Sequence, residues 1–381
     1  MKITIIGWYG TETIGDRAIL AGIFSLLARS YEKFEILLGS LYPFFSQRTI
    51  DEDQLFWKEI TQKNIQVKLF NSYRPGELKH SIKQSEIVMM GGGPLMHISE
   101  LLIVEYAFSQ AKKRGKKTII MGCGVGPLFY NEHQHTVLRI VQKCDLIILR
   151  DQQSKQNLID IFDKFQTEIA KDRIQVSFDP AVECALKFSQ KFPALQQKYI
   201  ALNIRKFPEE YSRENISKRV NIILKSFVYS IAEKYSDRDI FLIPMHYFHI
   251  GNDDRQFLNI IKMDSIHENM KVQNKNLSLF ETLRMYQCAF LNIGMRFHSV
   301  VLQTIVSGRN IILDYTEPQK GKIYGFIKDI DNFDFFHDKY FVLQKINAIE
   351  QIDDFNGKFN FNQSRVDEKL SIYLKALNSA S

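Results

Sequence analysis

One pattern, repeated through the first half of the chain, constrains the fold more than any other feature. Each copy has a short β-branched apolar run, a turn rich in glycine or polar residues, and an amphipathic helical pattern. The apolar runs cover residues 3–6, 87–90, 118–121 and 146–149. Strands that alternate with helices are typical of a parallel, doubly wound sheet, which binds its ligands beyond the carboxyl ends of the strands.

Glycine clusters follow three of these predicted strands, so we expect them to converge on one crevice. They are Gly7-Trp8-Tyr9-Gly10 with Gly15-Asp16, then Gly91-Gly92-Gly93-Pro94, then Gly122-x-Gly124-x-Gly126-Pro127. None fits the dinucleotide fingerprint, G-x-G-x-x-G with an acidic residue about 20 positions later. The sequence therefore argues against NAD and FAD.

The alternation weakens at residues 187–197 and then resumes, which predicts a second domain. We predict domains at 1–187 and 198–335, and a tail at 336–381 whose packing the sequence leaves open. The apolar runs of the second domain end in polar residues, namely Arg205, His246, Arg296 with His298, and Asp314 with Tyr315. Two Rossmann-like domains with polar strand ends predict a bilobal enzyme whose active site lies in the cleft between them.

Residues 294–299 join a predicted buried strand to a predicted helix. This junction holds Arg296 and His298 beside the backbone N–H groups of Phe297 and Ser299. First-turn N–H groups lack helical partners and the helix dipole is positive there, so the junction attracts phosphate or carboxylate. Arg296 and His298 lie two positions apart, so in an extended segment their side chains point the same way.

Composition and charge exclude several classes of protein. The chain has 381 residues, 45% of them hydrophobic, which suits two globular domains. No apolar run reaches the roughly 18 residues of a membrane span, and a net charge of +7 is too mild to indicate nucleic acid. Four scattered cysteines fit a reducing cytosol, so we predict a cytoplasmic protein. The basic run at 112–117 is either a solvated turn or a peripheral contact with the inner membrane face.

A series of motifs in fixed order resembles the polysaccharide pyruvyl transferase family. The motifs are Gly15-Asp16, Gly91-Gly92-Gly93-Pro94, Gly122-x-Gly124-x-Gly126-Pro127, Arg150-Asp151-x-x-Ser154, Phe178-Asp179-Pro180, Asn203-Ile204-Arg205, Gly294-Met295-Arg296-Phe297-His298 and Leu313-Asp314-Tyr315. Together they extend over roughly residues 1–330, which is more specific than any single motif. Thr13 and Arg17 stand where the family's first turn has Asn and Glu, and Arg17 adds a cation there.

The resemblance implies a fold similar to the two-lobed GT-B glycosyltransferases. It also implies transfer of pyruvate from phosphoenolpyruvate to sugar hydroxyls of a cell-surface polysaccharide or its precursor, with a pyruvate ketal and phosphate as products. Such a reaction belongs to exopolysaccharide biosynthesis and the cell envelope. We expect no cofactor, phosphoenolpyruvate as the donor substrate, and a sugar or lipid-linked saccharide as the acceptor. The first domain would bind the acceptor and the second the donor.

The resemblance makes Arg205 and Arg296 the donor-binding residues, because forked guanidiniums grip oxyanions at two points. His298 is the candidate for acid–base catalysis, with binding of the phosphate as an open alternative. Further candidates for substrate contact are Phe297, Ser299, His246, Gly10, Gly15, Asp16, Gly92, Gly93, His97, Gly124, Asp314, Tyr315 and Lys320.

Several of these candidates have a second interpretation. Asp16 is either an acceptor ligand or the N-cap of the first helix. His246 and His249 have the spacing of metal ligands, but no matching carboxylate pattern follows, so we predict a polar wall and no metal. Asp314 and Tyr315 either orient the phosphate loop or contact the acceptor.

Two other functions remain open on the sequence. A nucleotide-sugar glycosyltransferase would place a diphosphate at the same helix terminus, but residues 299–307 contain no Asp or Glu to hold a ribose. A non-catalytic relative that binds glycan or phosphate is the third hypothesis, which the presence of Arg205, Arg296 and His298 disfavours.

Overall fold

A computed structural model describes residues 1–168, 173–195, 199–209, 214–248, 250, 252–346 and 357–379. The chain forms two compact units. Unit 1 comprises Met1–Glu12, Asp16–Cys184 and Asn362–Ser381, and unit 2 comprises Thr13–Gly15 and Ala185–Phe361. These limits differ from the predicted 1–187 and 198–335. The predicted tail is also divided, since its first part belongs to unit 2 and its last part to unit 1.

Unit 1 contains a sheet whose named strands pair in parallel in the order β3-β2-β1-β4-β6-β7-β8, with the short β5 beside β6. Its strands are β1 (Lys2–Ile6), β2 (Glu35–Ser40), β3 (Gln66–Asn71), β4 (Ile87–Gly91), β5 (Pro94–Leu95), β6 (Lys117–Val125), β7 (Leu146–Leu149) and β8 (Ile174–Val176). Central strands such as β4 are buried along their whole length. Burial on both faces explains why they appear in the sequence as continuous apolar runs.

Unit 2 contains a second parallel sheet, in the order β11-β10-β9-β12-β13-β14. Its strands are β9 (Tyr199–Asn203), β10 (Asp239–Leu242), β11 (Met270–Val272), β12 (Leu291–Gly294), β13 (Asn310–Asp314) and β14 (Tyr340–Val342). In unit 1 the chain adds β2 and β3 on one side of β1 and then places β4 on its other side. In unit 2 it adds β10 and β11 on one side of β9 and then places β12 on its other side. This order creates a topological switch point beside β1 in unit 1 and beside β9 in unit 2.

Helices connect most of these strands. They are α1 (Ile14–Ser30), α2 (Pro43–Thr61), α3 (Pro75–Gln84), α4 (Leu101–Lys112), α5 (Asn131–Gln142), α6 (Gln152–Lys164), α7 (Pro180–Lys191), α8 (Glu214–Lys234), α9 (Asp254–Met263), α10 (Leu279–Cys288), α11 (Phe297–Val306), α12 (Lys322–Ile330) and α13 (Gln363–Ser379). Local signals explain several of their ends. A capping box between Ser278 and Glu281 starts α10. Gly308, at φ +67°, follows the end of α11.

The last helix, α13, packs within unit 1. The Tyr373 hydroxyl donates to the Phe178 carbonyl at 2.5 Å, and the Tyr31 hydroxyl donates to the Leu377 carbonyl at 2.8 Å. Tyr373 is completely buried. The last helix is therefore part of the core of unit 1.

The basic run at 112–117 forms the turn between α4 and β6, at the amino-terminal end of that strand. Lys112 pairs with Asp145 at 2.6 Å, and Lys117 donates to the Ser379 carbonyl at 2.9 Å. Within the described part of the chain, no helix has the length and apolar character needed to cross a membrane.

Candidate active site

The switch point of unit 2 lies between β9 and β12, which are neighbours in the sheet. Gly294 of β12 is in register with Asn203 of β9, so the two strands end side by side. Arg205 and Arg296 each follow the end of one of these strands by two residues. The fold therefore places both predicted donor-binding arginines at the edge of the sheet where ligands of such folds bind.

Asn203 ties these strand ends together. Its buried side chain accepts a hydrogen bond from the Arg296 backbone N–H at 3.1 Å and donates one to the Ile243 carbonyl at 2.8 Å. The Met295 N–H donates to the Asn203 carbonyl at 2.9 Å. The sequence singled out Asn203 only as part of a motif, and the structure shows that it fixes the backbone that carries Arg296.

Arg296 is held in a buried ion pair with Asp254, the first residue of α9. Nε donates to Asp254 Oδ2 at 2.8 Å and Nη2 donates to Oδ1 at 2.5 Å, while the two residues are 5% and 3% exposed. Asp254 Oδ2 also accepts from the backbone N–H groups of Met245 and His246. A forked pair of this kind orients the guanidinium firmly.

Asp254 therefore balances the charge of Arg296 within unit 2. Among the described residues, the hydrogen bonds of its guanidinium use Nε and Nη2. The sequence did not identify Asp254, which is 42 positions from Arg296. An acidic run at residues 253–254, shortly after His246, was the available signal.

His298 lies in the first turn of α11, half-buried, with its ring 4.9 Å from that of Phe297. Gly15, which belongs to unit 2, lies directly against the imidazole. A Cβ atom at Gly15 would be 2.0 Å from His298 Nδ1 and 2.5 Å from Cγ. Thr13 pairs with His246, and Ile14 N donates to the Met245 carbonyl at 3.0 Å, which fixes this segment. The close approach explains why only glycine fits at position 15.

Gly15→Ala is expected to displace the His298 ring. The new Cβ would be 2.0 Å from His298 Nδ1, and Cβ atoms in proteins do not approach other atoms so closely. We expect turnover to fall by at least about tenfold, since misplacing a catalytic group slightly has large kinetic effects. Gly76→Ala is the matched control, because a Cβ there would meet nothing within 4 Å. Equal activity of the two variants would contradict the placement of His298.

Two cations lie over the ring of Tyr315, the residue that follows β13. Arg205 Cζ and Lys322 Nζ are each 5.7 Å from the ring centroid, and Tyr315 is 3% exposed. Burial raises the pKa of Tyr315, but the positive charges of Lys322, Arg205 and Arg296 lower it by more. The pKa of Tyr315 therefore lies below its usual value. Two strand ends and the start of α12 in unit 2 therefore place three cationic side chains where their charges act on one phenol.

Lys322, and not the predicted Lys320, is the lysine that lies by the Tyr315 ring. Lys320 is 68% exposed in its side chain and is 3.6 Å from the carboxylate of Glu317. Lys322 is the first residue of α12 and is half-buried. Gly321, immediately before an apolar helical pattern, was the sequence signal that could have identified it.

Asp314 shapes the loop that leads from β13 to α12. Its Oδ1 accepts from the Thr316 N–H at 2.7 Å and from the Thr316 hydroxyl at 2.6 Å, and its Oδ2 accepts from the Tyr340 hydroxyl. Burial raises its pKa in spite of these bonds. Of the two predicted roles, this geometry matches that of orienting the loop, because both oxygens are used within unit 2.

Phe297 and Ser299 use their side chains within unit 2. Ser299 is completely buried, and its hydroxyl donates to the Arg296 carbonyl at 2.7 Å. The Phe297 ring lies 6.2 Å from that of Phe326. What these residues offer an anion is the backbone at the start of α11.

A sequence model of the polysaccharide pyruvyl transferase family matches residues 14–316. The chain belongs to this family. The matched range contains Arg205, Arg296, His298 and Tyr315 and ends before Lys322. Membership makes the protein a transferase and indicates transfer of pyruvate onto a polysaccharide or sugar acceptor. None of the curated protein sequences compared with the chain matches it.

Solved structures of other enzymes are similar to this chain in fold. UDP-GlcNAc 2-epimerase from Neisseria meningitidis, bound to UDP-GlcNAc, has a TM-score of 0.54 at 12% identity and full coverage of both chains. S. aureus MnaA with UDP has a TM-score of 0.54 at 12% identity, with 91% of each chain covered. A putative UDP-N-acetylglucosamine 2-epimerase from Listeria monocytogenes has a TM-score of 0.52 at 14% identity, with 82% of this chain and 78% of that one covered. The predicted fold class, Rossmann-like α/β similar to the GT-B enzymes, is confirmed.

The remaining site candidate in unit 2 is His246. It is half-buried, and both its backbone N–H and its carbonyl bond to Asp254. His249, the second residue of the suggested metal spacing, lies outside the described residues. In the described ranges, no group of three or more His, Cys, Asp or Glu side chains could hold a metal ion.

In unit 1, three predicted glycines adopt backbone conformations that favour glycine. Gly10, Gly92 and Gly93 have φ values of +87°, +104° and +71°. A Cβ at Gly10 would be 2.8 Å from Tyr42 N, and one at Gly93 would be 1.9 Å from Trp8 Cδ1. These contacts account for the glycines by turn geometry and packing within the unit.

The other candidates of unit 1 also have partners within it. Asp16 lies inside the first turn of α1, so it is not the N-cap, and it accepts from the Thr11 hydroxyl at 3.2 Å. The His97 ring is 2.9 Å from the Pro127 carbonyl through Nδ1. A Cβ at Gly124 would be 2.4 Å from Arg150 Nη2, which shows how closely that buried arginine packs there.

Arg17, which departs from the family's first-turn pattern, is not a cation available to a ligand. It is 4% exposed, and its Nε and Nη2 each donate to Asp53 at 2.6 Å. Its Nη1 donates to Glu52 at 2.8 Å. The substituted residue therefore joins α1 to α2 through a buried ion pair.

Proposed function

We propose that this pyruvyl transferase uses phosphoenolpyruvate as its donor and forms a pyruvate ketal on a sugar of a cell-surface polysaccharide or its precursor. The observation that carries the proposal is the position of Arg205 and Arg296 at the switch point of unit 2, with His298 in the first turn of the next helix. Phosphoenolpyruvate carries a phosphate and a carboxylate on three carbons. Two guanidiniums and a helix N-terminus match that distribution of charge.

The reaction needs groups that move protons as well as groups that bind anions. One sugar hydroxyl attacks the carbon that bears the phosphate ester, the methylene carbon gains a proton, and phosphate leaves. A second hydroxyl then closes the ketal. One hydroxyl proton ends on the new methyl group and the other on the released phosphate, so atoms and charge balance.

Two roles fit His298. An imidazolium can donate the proton to the methylene carbon. It can alternatively hydrogen-bond the phosphate at the start of α11. The Asp254–Arg296 pair supports either role, because it fixes the guanidinium before the donor arrives and leaves less reorganisation for the reaction itself.

Unit 1 is proposed to bind the acceptor, and no cofactor is proposed besides the donor. A cytoplasmic location, with or without contact with the inner membrane face, belongs to this proposal. The nucleotide-sugar alternative draws on the UDP-bound relatives, which share the fold at 12% identity. Likeness at that level carries no ligand to this chain, so direct binding has to separate the two donors.

Calorimetric titration with phosphoenolpyruvate and with UDP tests the proposed donor. We expect phosphoenolpyruvate to bind and Arg205→Met to weaken it by about 10- to 100-fold, the effect of losing one charged hydrogen bond. Lys206→Met is the matched control, because that side chain is 64% exposed and is 3.3 Å from Glu209. Binding of UDP without binding of phosphoenolpyruvate would overturn the proposal.

A further inference from the structure

We propose that exposed aromatic rings at the carboxyl edge of the unit 1 sheet form a platform for the acceptor, and that the acceptor binds as an oligosaccharide chain rather than as a single sugar. We call this platform the aromatic edge, and its side chains are Tyr42, Phe44, Tyr73, Phe129 and Tyr130. The inference rests on the proposed function for the assignment of the acceptor to unit 1. It adds the length of acceptor that the unit recognises and the residues that contact it.

The rings of the aromatic edge follow the carboxyl ends of strands in one parallel sheet. Tyr42 and Phe44 follow β2, and Tyr73 follows β3. Phe129 and Tyr130 follow β6. Because these strands run in the same direction, the rings lie at the edge of the sheet where ligands of such folds bind. Strands β2, β1 and β4 lie between β3 and β6, so the edge extends over roughly 19 Å at the usual spacing of strands, which is longer than one sugar ring.

Exposed aromatic residues are concentrated in unit 1. The side chains of the aromatic edge are between 42% and 77% exposed, and Tyr106, the other exposed aromatic residue of the described ranges, lies on α4. In the described part of unit 2, the large exposed apolar residues are instead aliphatic, namely Leu195, Ile222, Ile260, Met263 and Ile266. A group of exposed rings at a ligand-binding edge indicates a ligand with apolar faces. A sugar ring has such faces, formed by its C–H groups, beside hydroxyls that bond to polar side chains.

A carboxylate holds Tyr73 in place. The Tyr73 hydroxyl donates to Glu100 Oε1 at 2.6 Å, and its ring meets that of Tyr42 edge-on, with the centroids 6.2 Å apart. Burial and the hydrogen bond to Glu100 raise the pKa of Tyr73, so the ring stays uncharged at neutral pH. Glu100 Oε2 accepts from the Ser99 hydroxyl at 3.1 Å. Since each carboxylate oxygen can accept more than one hydrogen bond, Glu100 can also accept from a sugar hydroxyl beside the Tyr73 ring.

Two of the predicted substrate contacts position the aromatic edge. Gly10 packs against Tyr42, since a Cβ at Gly10 would be 2.8 Å from both Tyr42 N and Tyr42 O. The His97 ring lies 4.6 Å from that of Phe129, and the His97 N–H donates to the Pro127 carbonyl at 3.1 Å. Rings that are oriented before the ligand arrives lose little conformational freedom on binding. Gly10 and His97 therefore act through the rings that they orient.

The charges at this edge favour a neutral saccharide over an anionic membrane surface. Arg48 pairs with Glu12 at 3.0 Å, and Arg74 pairs with Glu77 at 2.9 Å. Glu100 adds negative charge to the edge. Anionic lipids attract clusters of lysine and arginine, whereas here carboxylates balance the arginines and one carboxylate stands among the rings.

Oligosaccharide binding in the absence of donor tests the platform. The probes are an array of neutral tetrasaccharides and hexasaccharides of hexoses and N-acetylhexosamines, with the matching monosaccharides. We expect the full chain to bind one or more of the oligosaccharides, and to bind the matching monosaccharides at least about tenfold more weakly. Equal affinity for a hexasaccharide and its monosaccharide, or no binding to any oligosaccharide of the array, would overturn the inference.

Tyr73→Ala and Phe129→Ala are each expected to weaken oligosaccharide binding by about 5- to 30-fold, the usual effect of removing an aromatic anchor from an interface. Tyr73→Phe keeps the ring and should retain more affinity than Tyr73→Ala. Leu55→Ala is the matched control, because Leu55 is 74% exposed on α2, away from the strand ends. Circular dichroism spectra that match the wild type exclude misfolding. Unchanged oligosaccharide binding in both alanine variants would contradict the platform.

Vesicles of phosphatidylcholine and phosphatidylglycerol provide a membrane arm for the same variants. We expect no vesicle binding that depends on Phe129. Vesicle binding that Phe129→Ala abolishes, together with no oligosaccharide binding, would assign the rings to a membrane surface and overturn the inference.

Phosphoenolpyruvate separates this inference from the proposed function. If oligosaccharides bind through the aromatic edge but phosphoenolpyruvate does not bind, the platform stands and the proposed donor is wrong. If phosphoenolpyruvate is consumed as efficiently with a monosaccharide acceptor as with an oligosaccharide, the donor stands and the platform is wrong.

Discussion

Replacing Asp254 by alanine is expected to destabilise the protein by about 3–5 kcal/mol, the cost of removing one partner of a buried ion pair. The Arg296 guanidinium would stay buried without its counter-charge, since both side chains are at most 7% exposed. The N–H groups of Met245 and His246 would also lose their acceptor. Because Arg296 belongs to the proposed donor site, phosphoenolpyruvate binding should fall together with stability.

Denaturant unfolding followed by fluorescence measures this change in the free energy of unfolding. Asp264→Ala is the control, because Asp264 forms a surface pair with Lys225 and its side chain is 54% exposed. Surface pairs contribute about 0–1 kcal/mol. If Asp254→Ala unfolds at the same denaturant concentration as Asp264→Ala, the buried pair between Asp254 and Arg296 does not stabilise the protein.

Arg296→Ala and His298→Ala are each expected to reduce phosphate release from phosphoenolpyruvate, in the presence of an acceptor, by at least about a hundredfold. In the proposed reaction, Arg296 would present Nη1 to the donor, and His298 would supply either a proton or a phosphate contact. His337→Ala is the control, because that histidine is 70% exposed. Turnover at the wild-type rate in either site variant would refute the assignment.

The His298→Gln variant distinguishes the two roles of His298. Glutamine keeps a hydrogen-bond donor but does not titrate near neutral pH. If His298 is the proton donor, His298→Gln should bind phosphoenolpyruvate and fail to turn it over. If His298 holds the phosphate, His298→Gln should keep part of its activity while His298→Ala loses binding.

The parts of the fold that the sequence predicted are those with strong local signals. Strands such as β1, β4 and β12 are largely buried and rich in apolar residues, and glycines or charged residues mark their ends. The edge strand β3 alternates between exposed and partly buried residues, and β11 and β14 have only three residues each. Such strands are set by pairing with a neighbour, which no local pattern records.

For the site too, local sequence signals could predict the positions of some residues but not the contacts that depend on packing. Arg205 and Arg296 could be predicted to lie at neighbouring strand ends because strand ends converge in a parallel sheet. The roles predicted for them came from the family resemblance. Asp254 could not be paired with Arg296 from the sequence, because the pairing depends on the way α9 packs. Which of Lys320 and Lys322 lies by the Tyr315 ring depends on the turn at Gly321, and only the structure shows that turn.

A crystal structure of the protein with phosphoenolpyruvate tests the central claim most directly. We predict the donor at the switch point of unit 2, with its oxyanions at about 3 Å from Arg205, from Nη1 of Arg296 and from the first turn of α11. Donor bound elsewhere, with Arg205 and Arg296 making no contact to it, would contradict the account.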